Sequence, residues 1–310
     1  MPGTLWVVGT PIGNLEDVTV RARRVLGSVD LIACEDTRRT GRLLQHLGIE
    51  RKRLVSFFEG NEKRRVPELM AELRGGADVA VATDAGMPGV SDPGYRLVAA
   101  CVEAAIAVDV APGPSAVVAA LVISGLPTDR FVFEGFLPRS GKARTERLAA
   151  LAREPRTIVL FESPNRVART LQDLLGAGGD RRVAVVRELT KMHQEVIRGS
   201  LKEVAETLAT RELKGEVVIV VEGARTAGAN FADAVGIARE QVRAGARKRD
   251  AAREAAASTG VPARRIYESL VTGIGSDPTE RPAVRTTDRP QGAEAGSNRS
   301  SAGRRADSSE

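Results

Sequence analysis

The sequence predicts an α/β protein: two α/β domains, a small helical extension and a polar tail. Three observations carry this. Short apolar runs alternate with helix-like runs through the first two thirds of the 310 residues, the pattern of a largely parallel, covered sheet. Loops dense in Gly and Pro follow several of those runs directly. Near the C-terminus the pattern turns purely helical, and beyond it aromatic residues, Leu, Ile and Met disappear.

Leu5-Val8, Leu31-Cys34, Val79-Ala82 and Val108-Ala111 read as short buried strands. Thr19-Leu26, Arg39-Leu47, Val66-Leu73, Tyr95-Ala105 and Ser115-Ile123 read as helices between or after them. Gly125-Leu126-Pro127-Thr128 breaks the alternation and marks a hinge. The first domain is therefore expected over 1–125. A second, more mixed α/β domain is expected over 126–229. Its strands are Phe131-Glu134, Thr157-Phe161, Val183-Arg187, Glu195-Arg198 and Val217-Val221, and its helices Lys142-Arg153, Asn165-Leu175 and Leu201-Leu208. Glu195-Arg198 follows the preceding strand so closely that an antiparallel pair is expected. Residues 230–275 read as three helices, Phe231-Arg243, Lys248-Ser258 and Ala263-Thr272, the last two resembling a helix-turn-helix. Residues 276–310 cannot bury enough surface to repay chain ordering and are expected to be disordered.

Composition narrows the function. A hydrophobic content of 42% suffices for real cores, and no apolar run reaches the roughly 18 residues needed to span a membrane. The start lacks a basic region followed by an apolar one, so no signal peptide is expected. Two cysteines without paired spacing fit a reducing cytoplasm, and two scattered histidines suggest no metal site. The formal charge is +6, but Arg243 to Arg265 alone holds seven basic and two acidic residues. Two readings fit that segment: an electrostatic footprint for nucleic acid, or a solvated helix face. With only 3% aromatic residues, extensive base stacking is not expected.

The densest loop is Thr83 to Gly94, with three Gly, two Pro and two Asp after an apolar strand. Ligands bind outside the carboxyl ends of strands in α/β sheets, and Gly permits close backbone approach. An ordinary strand-to-helix turn is the alternative, although about 2–6 residues would serve for that. Val8 to Leu15, after the first strand, matches neither a GxGxxG nor a GxxxxGK[ST] pattern, which disfavours a dinucleotide site or a nucleotide hydrolase. Ala33 to Thr40 sets Glu35, Asp36 and Arg38 at a strand end, suiting proton transfer or substrate positioning, or simply dressing a helix N-terminus. Pro112-Gly113-Pro114-Ser115-Ala116 opens a helix, with Ser115 an N-cap or a ligand contact. Phe161-Glu162-Ser163-Pro164-Asn165-Arg166 repeats the strand–loop–helix pattern in the second half. Such loops gather at one sheet edge, and the residues alone lead to an enzyme with a cleft there and a basic helical appendage.

The same stretches carry a resemblance. Val8 to Leu15, Glu35-Asp36-Thr37-Arg38, Asp84-Ala85-Gly86, Ser91-Asp92-Pro93-Gly94, Pro112-Gly113, Ser115-Ala116, Gly135-Phe136-Leu137-Pro138, Glu162-Ser163-Pro164, Arg187 to Lys191 and Gly215-Glu216 occur in the order seen in the small-subunit ribosomal RNA methyltransferases of the tetrapyrrole methylase superfamily. The chain resembles that family from about residue 3 to about 273. The resemblance implies two α/β domains of the tetrapyrrole methylase type with a donor cleft between them. It also implies S-adenosylmethionine as donor, a cytidine 2′-hydroxyl of 16S ribosomal RNA as acceptor, and a homodimer. Carried over, Asp84, Gly86 and Val90 line the donor, Ser115 and Ala116 lie beneath it, and Phe161 reaches it from the second domain. Met87, Thr83, Asn165 and Gln194 stand where the family usually has Thr, Ser, His and Glu.

Methyl transfer to a weakly acidic hydroxyl needs in-line approach and a proton acceptor. Glu35 and Asp36 are the candidates for the latter, with no metal required. Arg38 and Lys191, together with Arg247, Lys248 and Arg249, are the candidate RNA contacts. A tetrapyrrole methyltransferase and a non-catalytic nucleic-acid-binding regulator remain as alternatives. The basic segment speaks against the first, and the dense cleft loops against the second.

Overall fold

The computed structural model describes residues 1–224 and 231–272. The chain divides into two compact units, Met1–Ala227 and Gly228–Glu310. The first contains two five-stranded sheets.

The first sheet is built from β1 (Leu5–Val8), β2 (Leu31–Cys34), β3 (Arg53–Ser56), β4 (Val79–Ala82) and β5 (Val108–Ala111), in the order β3-β2-β4-β1-β5 with every pair parallel. Side chains alternate across it, so near-continuous apolar runs mean that both faces are covered. Leu5, Leu31, Val79 and Val81 pack with Leu69, Leu73, Leu97 and Cys101 of α3 (Glu62–Arg74) and α4 (Tyr95–Glu103). Val8, Ile32, Ala80 and Ala82 pack with Ala22, Val25, Leu26 and Leu44 of α1 (Val20–Ser28) and α2 (Thr37–His46) on the other face. Each such fully buried Leu, Ile or Val contributes about 1.5–3 kcal/mol.

The second sheet has the order β6-β7-β10-β8-β9, from β6 (Phe131–Phe136), β7 (Thr157–Glu162), β8 (Arg182–Arg187), β9 (Glu195–Ser200) and β10 (Val217–Val221). Only β6 and β7 are parallel; β8 and β9 form the antiparallel pair expected from their spacing. One face carries α6 (Gly141–Leu151), α7 (Val167–Gly178) and α8 (Leu201–Ala209), whose Leu171, Leu174, Val204 and Leu208 meet Ile158, Leu160 and Ile219. The other face is covered by α5 (Ala116–Ser124), which follows the first sheet in sequence but packs Val117, Ala120 and Leu121 against Val159, Ala184, Val218 and Val220.

Several elements differ from the sequence expectation. Strand β3 was not expected: Arg-Leu-Val-Ser offers two apolar residues, enough for a half-exposed edge. Helix α3 starts at Glu62 rather than Val66, because Asn61 turns the chain by accepting the Phe58 N–H, and Pro67 is accommodated inside the helix. Strand β6 runs on to Phe136 through an irregularity in register, with Gly135 at φ +61°.

In the second unit, α9 (Phe231–Arg243), α10 (Lys248–Thr259) and α11 (Ala263–Thr272) share a small core of Ala234, Val235, Ala238, Ala251, Ala255 and Ile266. Gly260, at φ +72°, caps α10 and begins the turn into α11. The expectation for residues 276–310 lies outside the described residues.

The loops after β1 and β5 touch backbone to backbone. A Cβ on Gly113 would stand 2.8 Å from the Cα and carbonyl carbon of Gly9. Gly113→Ala is therefore expected to cost about 1–3 kcal/mol, since neither backbone has a flexible side chain to yield. Urea denaturation at neutral pH measures it, and an unchanged midpoint would contradict this packing.

Candidate active site

Parallel pairing sends the loops after β1, β2, β4 and β5 to one edge of the first sheet. Two of them are stitched together. Thr10 and Gly86 exchange backbone hydrogen bonds of 2.9 and 3.1 Å, and the Thr10 hydroxyl donates to the Thr83 carbonyl at 3.0 Å. The β4 loop is also bent by left-handed residues: Gly86 at φ +82°, Gly89 at +83°, Ser91 at +62° and Gly94 at +135°. The non-glycine Ser91 is strained there, a cost that persists only where the surroundings hold it. The Gly89 N–H closes the turn onto the Pro93 carbonyl at 3.2 Å. Buried Glu62 then accepts the N–H groups of Gly94 (3.1 Å) and Arg96 (3.3 Å), placing a carboxylate at the N-terminus of α4.

Between this edge and the second sheet lies a cavity of about 380 Å³, within the range of small-molecule sites. Of the six sequence-derived donor residues, Gly86, Val90, Ser115, Ala116 and Phe161 line it. Asp84 does not. Its carboxylate accepts the Asp36 N–H at 3.1 Å and pairs with Arg39 at 3.3 Å, bordering a smaller cavity of about 280 Å³ with Thr10, Arg39 and Arg42. Ser115 caps α5 through the Val118 N–H, as one of its sequence readings expects, and also lines the large cavity.

The structure adds lining residues absent from that set: Ile12, Met87, Asp92, Phe136, Glu162 and Glu216 among them. Phe136 and Phe133 flank Phe161 at centroid distances of 5.6 and 4.9 Å. Phe136 sat in a quoted motif, but only the long β6 turns it toward the cavity. Glu162 is buried and fully engaged: it accepts from the Ser163 N–H (2.8 Å) and the Thr170 hydroxyl (2.7 Å), and pairs with Arg166 at 3.3 Å.

The two candidate proton acceptors are not equivalent. The Asp36 carboxylate caps α2, accepting the Arg38 and Arg39 N–H groups. Its bonds to the Arg38 side chain and backbone hold it below the usual carboxylate range. Glu35 is half-buried and accepts the Asp84 N–H at 3.4 Å. Asp92, on the cavity wall, is pushed up to about 7 by burial first and then by the charges of Glu35 and Asp84.

The candidate RNA contacts are dispersed. Arg38 is exposed beside Asp36 at 3.3 Å. Lys191 is half-buried between Glu188 (2.8 Å) and Glu216 (3.1 Å), so its charge is already balanced. Its loop clasps the β1 loop, where the Asn14 N–H donates to Thr190 Oγ1 at 3.1 Å. Arg247, Lys248 and Arg249 are exposed in the second unit, and the Lys248 ammonium donates to the Leu270 carbonyl at 2.9 Å.

Comparison with known proteins agrees with this architecture. The sequence profile of the tetrapyrrole (corrin/porphyrin) methylases matches residues 4–205. The ribosomal RNA small subunit methyltransferase I of Thermotoga maritima is 50% identical over 221 residues, 71% of this chain and 99% of that protein. The protein of the same name from Mycobacterium tuberculosis is 47% identical over 272 residues, 87% of this chain and 95% of that one. Among solved structures, the methyltransferase CobJ superposes with a TM-score of 0.56 at 21% identity, covering 72% of this chain and 95% of that one. Uroporphyrin-III C-methyltransferase from Thermus thermophilus, complexed with S-adenosyl homocysteine, gives 0.53 at 21%, covering 71% and 97%. At that identity these structures speak to the fold.

The clasp carries a pH signature. The Lys191 ammonium and then the Glu216 N–H lower the Glu188 carboxyl. Stability from such a depressed group is present above its unfolded value near 4.5 and is lost as pH falls through the folded one. Lys191→Met is expected to cost about 1 kcal/mol at pH 7, with the deficit shrinking below pH 4.5. Paired urea titrations at both pH values measure this; a deficit independent of pH would remove the ion pair from the account.

Proposed function

The chain belongs to the tetrapyrrole (corrin/porphyrin) methylases, alongside relatives named ribosomal RNA small subunit methyltransferase I, and on that premise we propose that it methylates the 2′-hydroxyl of a cytidine ribose in 16S ribosomal RNA, in the cytoplasm, with S-adenosylmethionine as donor. The observation that carries the reading is the cavity at the carboxyl edge of the parallel sheet, walled by the strained β4 loop and closed by Phe161. Its size suits a nucleoside-bearing ligand, and its bare glycine backbone suits close approach.

In this proposal Gly86, Val90, Ser115, Ala116 and Phe161 hold the donor, and Asp84 holds the loop from behind through Asp36 and Arg39. Bound there, S-adenosylmethionine supplies an electrophilic methyl group on a sulfonium. The chain's part is to fix approach along one line, exclude water with the phenylalanines, and offer a carboxylate to the departing proton. The Asp36 oxygens are committed to the α2 cap, and Glu35 takes the Asp84 N–H outside the lining of the large cavity. Arg38 flanks the edge, and Arg247 and Arg249, whose side chains have no partner among the described residues, supply phosphate contacts. A homodimer belongs to the same reading; Val118 and Val122 stand exposed on α5 as apolar surface for it, and sedimentation velocity tests it.

The direct experiment is transfer of tritium from labelled S-adenosylmethionine to small ribosomal subunits lacking the modification, followed by alkaline hydrolysis. Label in one alkali-resistant dinucleotide with a 5′ cytidine is expected; label on a base, or none, would overturn the acceptor.

Gly86→Val is expected to lower donor affinity at least 10-fold by calorimetry, because φ is +82° and its Cβ would meet Ile12 Cγ2 at 3.4 Å. Unchanged affinity in a folded variant would move the donor elsewhere. Replacing Arg247, Lys248 and Arg249 together by Ala is expected to weaken subunit binding while sparing the donor. The log–log salt slope should flatten by about 0.7–0.9 per lost phosphate contact; identical slopes would leave the segment a solvated face.

A further inference from the structure

We infer that Asp92 is the catalytic carboxylate of the cleft, the group that receives the proton of the acceptor hydroxyl. The inference rests on the methyl-transfer reading above and names the residue that completes it.

The assignment follows from what each carboxylate of the site is already doing. Of the three acidic residues on the cavity wall, Glu162 is saturated by Ser163, Thr170 and Arg166, and Glu216 is paired with Lys191. The third, Asp92, is half-buried and accepts no hydrogen bond from any described residue. Behind the wall, Asp36 caps α2, Asp84 is held by the Asp36 N–H and Arg39, and Glu35 takes the Asp84 N–H. A carboxyl that faces a cavity with its lone pairs unspent is placed to accept a proton from something that enters it. The structure also invests in holding Asp92 there. It follows Ser91 at φ +62°, inside a turn closed by the Gly89 N–H, and two residues on Glu62 fixes Gly94.

Its electrical surroundings suit the task. Facing Asp92 are Glu35 from the β2 loop and Asp84 from its own loop, with Arg39 of α2 neutralising part of Asp84. Glu162 and Glu216 share the cavity wall, each beside its own cation, and Glu62 with Arg96 anchors the loop end. Burial first, and then the charges of Glu35 and Asp84, raise the proton affinity of Asp92 to about 7, near neutrality, where a general base has both an ionised fraction and a driving force. In the step, the O–C bond forms as the sulfonium C–S bond breaks. That electron pair remains on sulfur as a neutral thioether, and the hydroxyl proton moves to an Asp92 oxygen. The sulfonium's positive charge is lost as the Asp92 negative charge is neutralised, so total charge is conserved.

Single-turnover transfer to unmodified small subunits, followed from pH 5.5 to 8.5, tests this. The natural protein should show a rate rising about tenfold per pH unit and levelling near 7. Asp92→Asn should be slower by roughly 10²–10⁴-fold at pH 8, with no acid limb and with S-adenosylmethionine binding retained. Glu35→Gln should move the limb to lower pH by removing a like charge. An Asp92→Asn rate within about threefold of the natural one, or an acid limb that survives in it, would overturn the inference; loss of transfer in Glu35→Gln alone would give the role to Glu35.

A second readout does not depend on the acceptor. A carboxyl with a raised folded value binds its proton more tightly in the folded state, so ionising it lowers stability as pH rises from about 4 to about 7. The melting temperature of Asp92→Asn relative to the natural protein should therefore climb across that window and stay level above it. A flat difference would also overturn the inference. Failure of the natural protein to methylate RNA while this difference persists would instead count against the proposed acceptor.

Discussion

The cleft depends on β1 lying in parallel register between β4 and β5. Leu5 pairs with both Val79 and Val108, and Val8 with both Ala82 and Ala111, so the three strands end at the same level. Their loops are then forced into contact. Gly9 meets Gly113 across the β5 side, and Thr10 exchanges hydrogen bonds with Gly86 across the β4 side. The backbone groups of these irregular loops are thus satisfied by one another rather than by water, which is what allows a loop to be partly buried and still stable. Glycine is required at Gly9 and Gly113 because two main chains occupy the space a Cβ would fill.

The second sheet turns that edge into an enclosed site. Helix α5 leaves the first sheet and lies against the second, burying Val117, Ala120 and Leu121, so the two layers share one apolar cluster. From the other side, the loop after β8 clasps Asn14 and Gly13 through Thr190 and Lys191. Glu188 at φ +51° and Thr190 at φ +65° are held in strained backbone by the Lys191 ion pairs and by the Gln194 side chain, which accepts the Thr190 N–H at 2.7 Å. These are small interactions individually. Their effect is to make the cavity the meeting point of two rigid sheets, so its geometry does not rest on one mobile loop.

Electrostatics in the cleft follow the same economy of position. Acidic side chains converge on the edge of a sheet that bears a net positive chain, and most are neutralised by a nearby arginine, lysine or helix N-terminus. The uncompensated remainder is concentrated at the β4 loop, where burial makes charge costly. A site of that character favours cationic ligands and proton acceptance over anion binding.

Much of this was legible beforehand. The apolar four-residue runs, with Gly/Pro loops directly behind them, determined the parallel sheet and the edge where those loops gather, because strand period and turn chemistry are local properties; the resemblance supplied the six proposed donor contacts, five of which line the large cavity. Glu35 and Asp36 stood out as acidic residues at a strand end, whereas Asp92 was visible only as part of the Gly/Pro-rich loop after β4, with no local signal to single it out. Only the tertiary structure decided that Asp36 is consumed by a helix cap, that Asp84 faces Arg39 rather than the large cavity, and that Lys191 is tied between Glu188 and Glu216. The edge strand β3 and the migration of α5 to the second sheet were likewise hidden, since a short half-polar run and an all-round apolar helix do not say which neighbour they will meet. Sequence determined which residues could do the chemistry; packing decided which remained free to do it, because hydrogen bonds and ion pairs are allotted only when distant segments come together.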